Sequence, residues 1–562
     1  MNFIEDILHR LHQQAARPVL QEVRDRRIVP VTAGELSSLV RTARSFLVKS
    51  GIRRGDRCAL LAPNSIHWVA MDLAIVAEGA IVVPLYARQS PAEIVAMMQD
   101  CEPALICCGS LELGEAIRKA WADAPRIYLF EDIFGEGTNG PVPSDPPVPL
   151  TNDDPVTIIY TSGTSGQPKG VILCMGNINF MLGCTNDRLD LLMGGRVESE
   201  RVFQYLPFCF AGSWILLLTC LTRQSVLTMS TDLNKLADEL KLAAPHYFLN
   251  VPVLLERIRA GVEDQIRKKG GLAKAVFNKG KAAYFRQSGG DSHLVDALWL
   301  AAARSLIFRA IRKKLGADLR ALICGSAPLA TETQRFFMML GIPVLQVYGL
   351  TETTAICTMD DPHHVVPGRV GPAIPGIEMK LGEANEILVR GPNVFPGYWN
   401  QPQETAKTFT DGWFNTGDQG DVDAQGNWSI TGRVKNLIIP ASGHNIAPEP
   451  IEESLLRAIP GAQQVILIGN GRKFLSAIVT GDVAPSDVER ALEIVNPELP
   501  HYKRVRAYYI HRDPCTAENG LLTANGKLKR DAIARRFKAE IEELYLAAES
   551  GRSEEEKSKR GA

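Results

Sequence analysis

The sequence predicts an α/β protein. A large N-terminal domain of doubly wound, mixed or parallel sheets should carry a small β-barrel subdomain, followed by a small α/β domain. Three observations predict this. At 562 residues the chain is too long for a single core. Strand-like and helical patterns alternate in units of roughly twenty to twenty-five residues, the rhythm of parallel strands joined by helical crossovers. Beyond Arg369 the rhythm changes to short strands separated by Gly, Pro and Asn, which reads as a small antiparallel barrel.

The elements follow in order. Residues 35–50 are amphipathic, 57–62 strand-like and 66–77 helical. Residues 80–84 are again strand-like, 91–100 helical and 104–108 strand-like. Residues 233–243 continue as a helix with Leu233, Leu236 and Leu240 on one face, and 246–251 as a strand. A polar break at 432–436 marks the boundary between a large domain, 1–432, and a small one, 437–548, with 433–436 as a hinge linker. In the small domain, strands at 465–468 and 475–479 alternate with helices at 451–457 and 485–495, and a helix at 530–548 ends it. The charged tail, 549–562, is expected to be disordered.

Bulk properties narrow the function classes. A net charge of −1 argues against a nucleic-acid protein, whose domains are strongly basic. Eleven cysteines without a C-x-x-C pair fit a reduced cytosol, and no structural metal is indicated. Residues 1–20 are charged throughout and lack the apolar core of a secretory leader. Residues 202–222 carry no charge over the length of a membrane span. Pro207, Gly212 and several polar residues favour a buried strand-turn-helix instead, so the protein is expected to be cytoplasmic.

The densest chemical signal is Tyr160-Thr-Ser-Gly-Thr-Ser-Gly-Gln-Pro-Lys169-Gly170. Apolar β-branched segments flank it, 156–159 before and 171–173 after, so the loop should close a hairpin. Gly163 and Gly166 let consecutive N–H groups converge on an anion. Thr161, Ser162, Thr164 and Ser165 add hydroxyl donors, and Lys169 a full charge. This is a phosphate cradle, but not a Walker loop, because Lys169 is followed by Gly170 and a strand rather than by Ser/Thr and a helix. A P-loop kinase is thereby excluded; a plain polar turn is the alternative.

Further runs follow in order: Gly325-Ser326-Ala327-Pro328-Leu329; Gln346 followed by Tyr348-Gly349-Leu350-Thr351-Glu352; 386–392 through Gly397-Tyr398; Trp413 to Asp418; Gly432-Arg433-Val434-Lys435; and 522–527, ending in Lys527. Taken together, this set resembles the adenylate-forming superfamily of acyl-CoA synthetases, adenylation domains and luciferases. Within it, the segments 446–452 and 471–477 resemble the long-chain fatty acyl-CoA synthetase branch. The resemblance implies ATP, Mg2+ and coenzyme A as substrates and cofactor. It implies a mobile lid that serves two half-reactions: acyl-AMP formation with pyrophosphate release, then transfer to a thiol.

By that resemblance, the 161–169 loop holds the β- and γ-phosphates. Glu352 with the hydroxyl of Thr161 or Thr351 ligates Mg2+. Tyr348 stacks on adenine beside Gly325 to Ala327, with Gln346, Gly349 and Leu350 in the same nucleotide wall. Asp418 accepts both ribose hydroxyls, and Arg433 supports ribose or the α-phosphate. Lys527, after the turn former Asn525-Gly526, is the catalytic lysine, Lys435 the hinge, and Gly443 lines the thiol channel. Phe208, Phe210, Gly212 and Trp214 line an acyl pocket or pack in the core. Two departures from the family pattern stand out. Cys174-Met175 replaces a frequent Thr-His after the phosphate loop, and Phe210 occupies an acyl-pocket position often held by another aromatic or His.

The expected small-molecule partners are a medium- to long-chain carboxylic acid, ATP and coenzyme A. A carrier-protein pantetheine remains the alternative acceptor, and a non-catalytic acyl- or nucleotide-binding paralogue the alternative from another class. Residues 267–314 hold twelve Lys or Arg against two Asp, interleaved with aromatics. Their length and position resemble the helical insertion of the long-chain branch. They read either as a peripheral membrane contact or as amphipathic helices with a solvated basic face.

Overall fold

The computed structural model describes residues 1–135, 146–162, 168–195, 200–223, 225–291, 293–523 and 526–547. The expected Gly163, Thr164, Ser165 and Gly166 cradle and the charged tail lie outside these residues.

Two sheets dominate the large domain. The six-stranded sheet runs Ile127–Leu129, Leu105–Cys108, Arg57–Leu61, Ile81–Leu85, Pro155–Ser162, Pro168–Cys174, parallel until the last pair. That pair is the expected hairpin, with Thr161 opposite Lys169 and Tyr160 opposite Gly170. Gly170 is required by packing, because a Cβ there would come within 2.7 Å of Ile158 Cγ2 and 3.2 Å of Trp399 Cβ. Its carbonyl accepts from Trp399 N at 2.7 Å, which ties the phosphate hairpin to the 398–399 turn.

The eight-stranded sheet is parallel in its middle, where Val344–Tyr348, Leu322–Cys324, Tyr247–Asn250, Arg201–Gln204 and Val226–Met229 lie side by side, and antiparallel at its ends. The uncharged segment forms the strand Arg201–Gln204 and the buried helix Ala211–Arg223, as its Pro and Gly implied. Among the described residues, no helix is long and apolar enough to cross a membrane. Helix Ile66–Ala77, capped by Ser65, buries every residue but His67, as expected of a helix that is apolar all round.

The region after Arg369 departs from the expected barrel. It is an antiparallel sheet of five strands: Glu378–Leu381, Glu386–Arg390, Phe409–Thr410, Trp413–Val422 and Trp428–Arg433. The long central strand Trp413–Val422 takes three partners, and the outer strands do not pair with one another, so the sheet stays open.

The small domain has its own three-stranded sheet, Ala462–Ile468, Leu475–Gly481 and Val505–His511, with apolar clusters on both faces. Helices Glu449–Ala458 and Pro485–Val495 cover one face. The expected terminal helix is broken: Arg530–Arg536 ends at Phe537, and 538–547 is again helical. Arg530 forms two hydrogen bonds to buried Glu452, at 2.7 and 2.6 Å, which anchors the segment following Lys527 to the small domain's interior.

Candidate active site

Four segments distant in sequence meet at one cleft. Strand Val344–Tyr348 ends with Tyr348 buried and its hydroxyl donating to Asp418 Oδ2 at 2.9 Å. Burial and the Asp418 charge hold the Tyr348 phenol well above its usual pKa, so it remains a donor. Asp418 faces Arg433 across adjacent strands, with Arg433 Nε 2.8 Å from Asp418 Oδ1. The Asp418 backbone N–H also donates to Thr416 Oγ1 at 3.1 Å. Asp418 is therefore rotationally fixed before any ligand arrives.

The turn after Tyr348 permits no side chain at Gly349, where a Cβ would lie 2.3 Å from Ala355 O. This close crossing presents Glu352, whose Oε1 accepts from Tyr398 Oη at 2.9 Å. Phe395 N donates to the Glu352 carbonyl at 2.9 Å. Lys169 lies 5.0 Å from the centre of the Tyr398 ring and pairs with Glu404 at 2.7 Å. Lys169 and Lys407 pull the Glu404 carboxyl down to about 2. Thr161 Oγ1 is 3.5 Å from Lys169 O, at the limit of a hydrogen bond. Glu352, Thr161 and Thr351 offer oxygen donors only, the chemistry a hard divalent ion takes.

Gly325 is small because Val347 Cγ2 would sit 2.7 Å from a Cβ there, and Ser326 adopts φ +72°. Ser326 and Ala327 are exposed. Leu350 N donates to Thr353 Oγ1 at 2.9 Å, shaping the short helical turn Thr351–Thr353. The Gln346 side-chain amide donates to Gln334 Oε1 at 2.9 Å and to Arg369 O at 3.0 Å. Buried Asp360, unforeseen from the sequence, accepts from Gln346 N at 2.8 Å, and burial pushes its carboxyl up to about 8.

The small domain closes the cleft. Lys527 ends a turn in which Thr523 N donates to Lys527 O at 2.8 Å, Lys527 N donates to Thr523 Oγ1 at 3.1 Å, and Gly526 sits at φ +74°. The residue as a whole is solvent-accessible. Burial, then Arg433, lower its pKa from the ordinary lysine value, while Asp418 and Glu352 draw it back up. Lys435 shares this field: burial, then Lys169, lower its pKa, with Glu404 and Glu352 opposing. Lys529, two residues beyond Lys527, pairs across the gap with Glu93 at 2.9 Å. Gly443 is exposed at φ +78°, and beyond its two chain neighbours no atom lies within 4 Å of where a Cβ would stand.

The four expected acyl-pocket residues divide. Phe208 is fully buried, its ring 5.2 Å from Trp68, and Trp214 donates its indole N–H to both oxygens of buried Asp72 at 3.1 and 3.0 Å. Both are core residues, held there by packing and by a satisfied polar group. Gly212 lies near Leu249 in the same helix-to-sheet contact. Phe210 is half-buried, 5.6 Å from the Tyr86 ring, and lines a cleft with Tyr86, Met97 and Tyr160 that Thr523 and Lys529 cover from the small domain.

Comparison with known proteins bears on the domain pair and on the fold. Residues 9–399 match the family of AMP-binding enzymes, and residues 435–549 match the AMP-binding enzyme C-terminal domain. A long-chain-fatty-acid–CoA ligase, FadD15, of Mycobacterium bovis is 29% identical over 558 residues, covering 92% of each chain. The long-chain-fatty-acid–CoA ligase ACSBG1 of Mus musculus is 29% identical over 472 residues, 78% of this chain and 65% of its own. Among solved structures, the A domain of carboxylic acid reductase from Segniliparus rugosus, in complex with AMP and a co-purified carboxylic acid, superposes with a TM-score of 0.76. It is 20% identical and covers 98% of this chain and 94% of that one. O-succinylbenzoate coenzyme A synthetase from Bacillus subtilis with AMP gives a TM-score of 0.72 at 20% identity, covering 94% and 97%. At these identities the solved structures speak to the fold.

Proposed function

This chain belongs to the AMP-binding enzymes, and from that premise we propose that it activates a medium- to long-chain fatty acid with ATP. The acid becomes acyl-AMP with release of pyrophosphate, and coenzyme A then takes the acyl group. The observation that carries the reading is the approach of Lys527, from the small domain, to a cleft walled by Asp418, Arg433 and Glu352.

The chemistry needs such an approach. A carboxylate attacking the α-phosphorus of ATP brings two anions together; at 4 Å a unit pair repels by ~1 kcal/mol in water and ~4 kcal/mol in a partly desolvated site. Lys527 supplies a cation between them as the carboxylate oxygen bonds to phosphorus and the bond to pyrophosphate breaks. Asp418, held by Tyr348 and Arg433, accepts the ribose hydroxyls. Lys169, on its hairpin, meets the distal phosphates. Glu352 and Thr161 would hold Mg2+, which when bound neutralises phosphate charge.

The second half-reaction needs room. With Lys527 in the cleft, a thiol is blocked. Rotation about Lys435 withdraws it and brings Gly443 to the thiol's path, where a side chain would obstruct. The sulfur then attacks the acyl carbon, its proton goes to solvent, and AMP leaves. No covalent enzyme intermediate is needed, consistent with cysteines whose thiols are mostly buried and shifted upward. An apolar channel past Phe210 would gain ~0.8 kcal/mol per buried methylene, so neighbouring chain lengths would be poorly distinguished.

The test is ATP–pyrophosphate exchange across a panel of carboxylic acids, repeated with coenzyme A and analysed for thioester. Exchange with aliphatic acids and formation of acyl-CoA are expected. Exchange without thioester would transfer the reading to a carrier-loading ligase, and no exchange with any acid would reject catalysis.

A further inference from the structure

Two side-chain amides, Gln334 and Gln346, are buried against each other beside the cleft. Gln334 belongs to helix Thr331–Met339. Gln346 belongs to strand Val344–Tyr348, two residues before Tyr348 and therefore on the same face of that strand. Cys324 of the neighbouring strand pairs with Gln346, so the run Gly325-Ser326-Ala327 begins beside Val347.

An amide is nearly symmetrical in shape, and only its partners decide which end is oxygen and which is NH2. Here the chain of partners starts from backbone groups, which cannot exchange roles. Gly368 N–H donates to Gln334 Oε1 at 2.8 Å, and Gln334 Nε2 donates to Val344 O at 3.0 Å. Gly368 comes this close only as glycine: its φ is +86°, and a Cβ would stand 2.8 Å from Thr331 Oγ1. Gln334 Oε1 is thereby fixed as the acceptor for Gln346 Nε2, at 2.9 Å. The second hydrogen of Gln346 Nε2 goes to Arg369 O at 3.0 Å. That carbonyl is itself held, because the Arg369 side chain donates to Asn427 O at 2.9 Å and pairs with Asp421 and Asp423, both at 3.2 Å. With both amide hydrogens engaged, the free end of Gln346 is an oxygen. Gln346 Oε1 has no donor among the described residues, and it is not sealed from solvent.

We propose, resting on the reading of this cleft as an ATP site, that Gln334 is a positioning residue for base selection. It holds the Gln346 amide so that Oε1 meets the 6-amino group of adenine, a donor, and rejects the 6-oxo group of hypoxanthine, an acceptor. Gln334 touches no substrate; it acts through Gln346. A Gln346 amide free to turn would offer its NH2 end to the 6-oxo group and discriminate poorly. Facing an acceptor with an acceptor in a desolvated site costs about tenfold to a hundredfold in affinity.

Calorimetric binding of ATP and of inosine triphosphate to the full chain tests this, without need of turnover. The wild type should bind ATP about a hundredfold more tightly. Gln334→Met removes both ends of the clamp and should cut that ratio about tenfold. Gln334→Glu, neutral when buried, keeps an oxygen for Gln346 Nε2 and a hydroxyl for Val344 O, and should retain most of the ratio. Loss of packing alone would weaken both nucleotides alike and leave the ratio unmoved. In a Gln346→Leu background, adding Gln334→Met should change the ratio no further, because the two amides act as one unit. Should Gln334→Met not fold, Gln334→Ala, where water can meet the freed backbone groups but cannot orient the amide, should show the same loss. Equal wild-type binding of the two nucleotides, a ratio unmoved in a folded Met or Ala variant, or a further fall on top of Gln346→Leu would each overturn the proposal. ATP–pyrophosphate exchange is followed in parallel. Base-selective binding lost in Gln334→Met, without exchange for any acid, would uphold the clamp and reject the activity; binding of neither nucleotide would overturn both.

Discussion

Asp418 and Lys527 reach one cleft from opposite sides, and they are anchored by different kinds of contact. Asp418 is buried and held by Tyr348, at the end of a strand of the eight-stranded sheet, and by Arg433 and Thr416 of the five-stranded one. Lys527 stands at the tip of a turn that is bonded to itself, and its neighbour Lys529 reaches the large domain through a partly exposed ion pair to Glu93. Behind it, Arg530 is locked to buried Glu452 inside the small domain. The wall is thus set in advance, whereas the proposed mechanism has the lysine travel with the small domain, which meets Glu93 through that partly exposed pair. A group that must arrive and then leave is best carried in this way.

The largest effect that can break the comparison is at Lys527. Lys527→Ala should lower adenylate formation by about 10²–10³-fold, as removal of a preorganised charge does, while a preformed adenylate still yields thioester. Single-turnover assays of each half-reaction read this directly. The sign of its pH dependence also follows. Because the folded site lowers the Lys527 pKa, the ammonium is lost below the ordinary lysine range, and adenylation should fall on the alkaline side before free lysine would titrate. Lys527→Arg should remove that alkaline limb while leaving the thiol step's profile in place.

Next comes the wall. Asp418→Ala removes the acceptor for Tyr348 and the partner of Arg433, and kcat/KM for ATP should drop about 10²-fold, with both half-reactions affected. A smaller effect is expected at Glu404, which orients Lys169 from a residue more than a third exposed. Glu404→Gln should raise the KM for ATP about fivefold with kcat little changed. The smallest is at the domain contact. Lys529→Ala should slow adenylation by no more than about fivefold and spare thiol transfer, since such a pair contributes at most about 1 kcal/mol.

The same contrast explains what was legible in the sequence. The hairpin around Lys169 was readable because β-branched runs flank a glycine-rich loop, and helix Ile66–Ala77 because Ser65 precedes a continuous apolar stretch. Lys527, Asp418 and Glu352 came from motif order, and they converge on one cleft. The partners of Gln346, Gln334 and Asp360, were not legible, because only tertiary packing brings them to it. Phe208 and Trp214 were offered as pocket or core, and only the fold, through Trp68 and Asp72, decides for core. Glu404 was invisible as a partner of Lys169, being 235 residues away. The barrel was over-read: short strands with turn residues announce antiparallel pairing, but not whether the edges meet.

The most direct test holds the small domain where it is seen. Cysteines placed by Glu93→Cys and Lys529→Cys would be bridged with a short cleavable bifunctional thiol-reactive crosslinker, and both half-reactions followed in single turnover. The bridged enzyme should form acyl-AMP and pyrophosphate but no acyl-CoA until the bridge is cleaved. Thioester formation at an undiminished rate with the bridge intact would contradict the account.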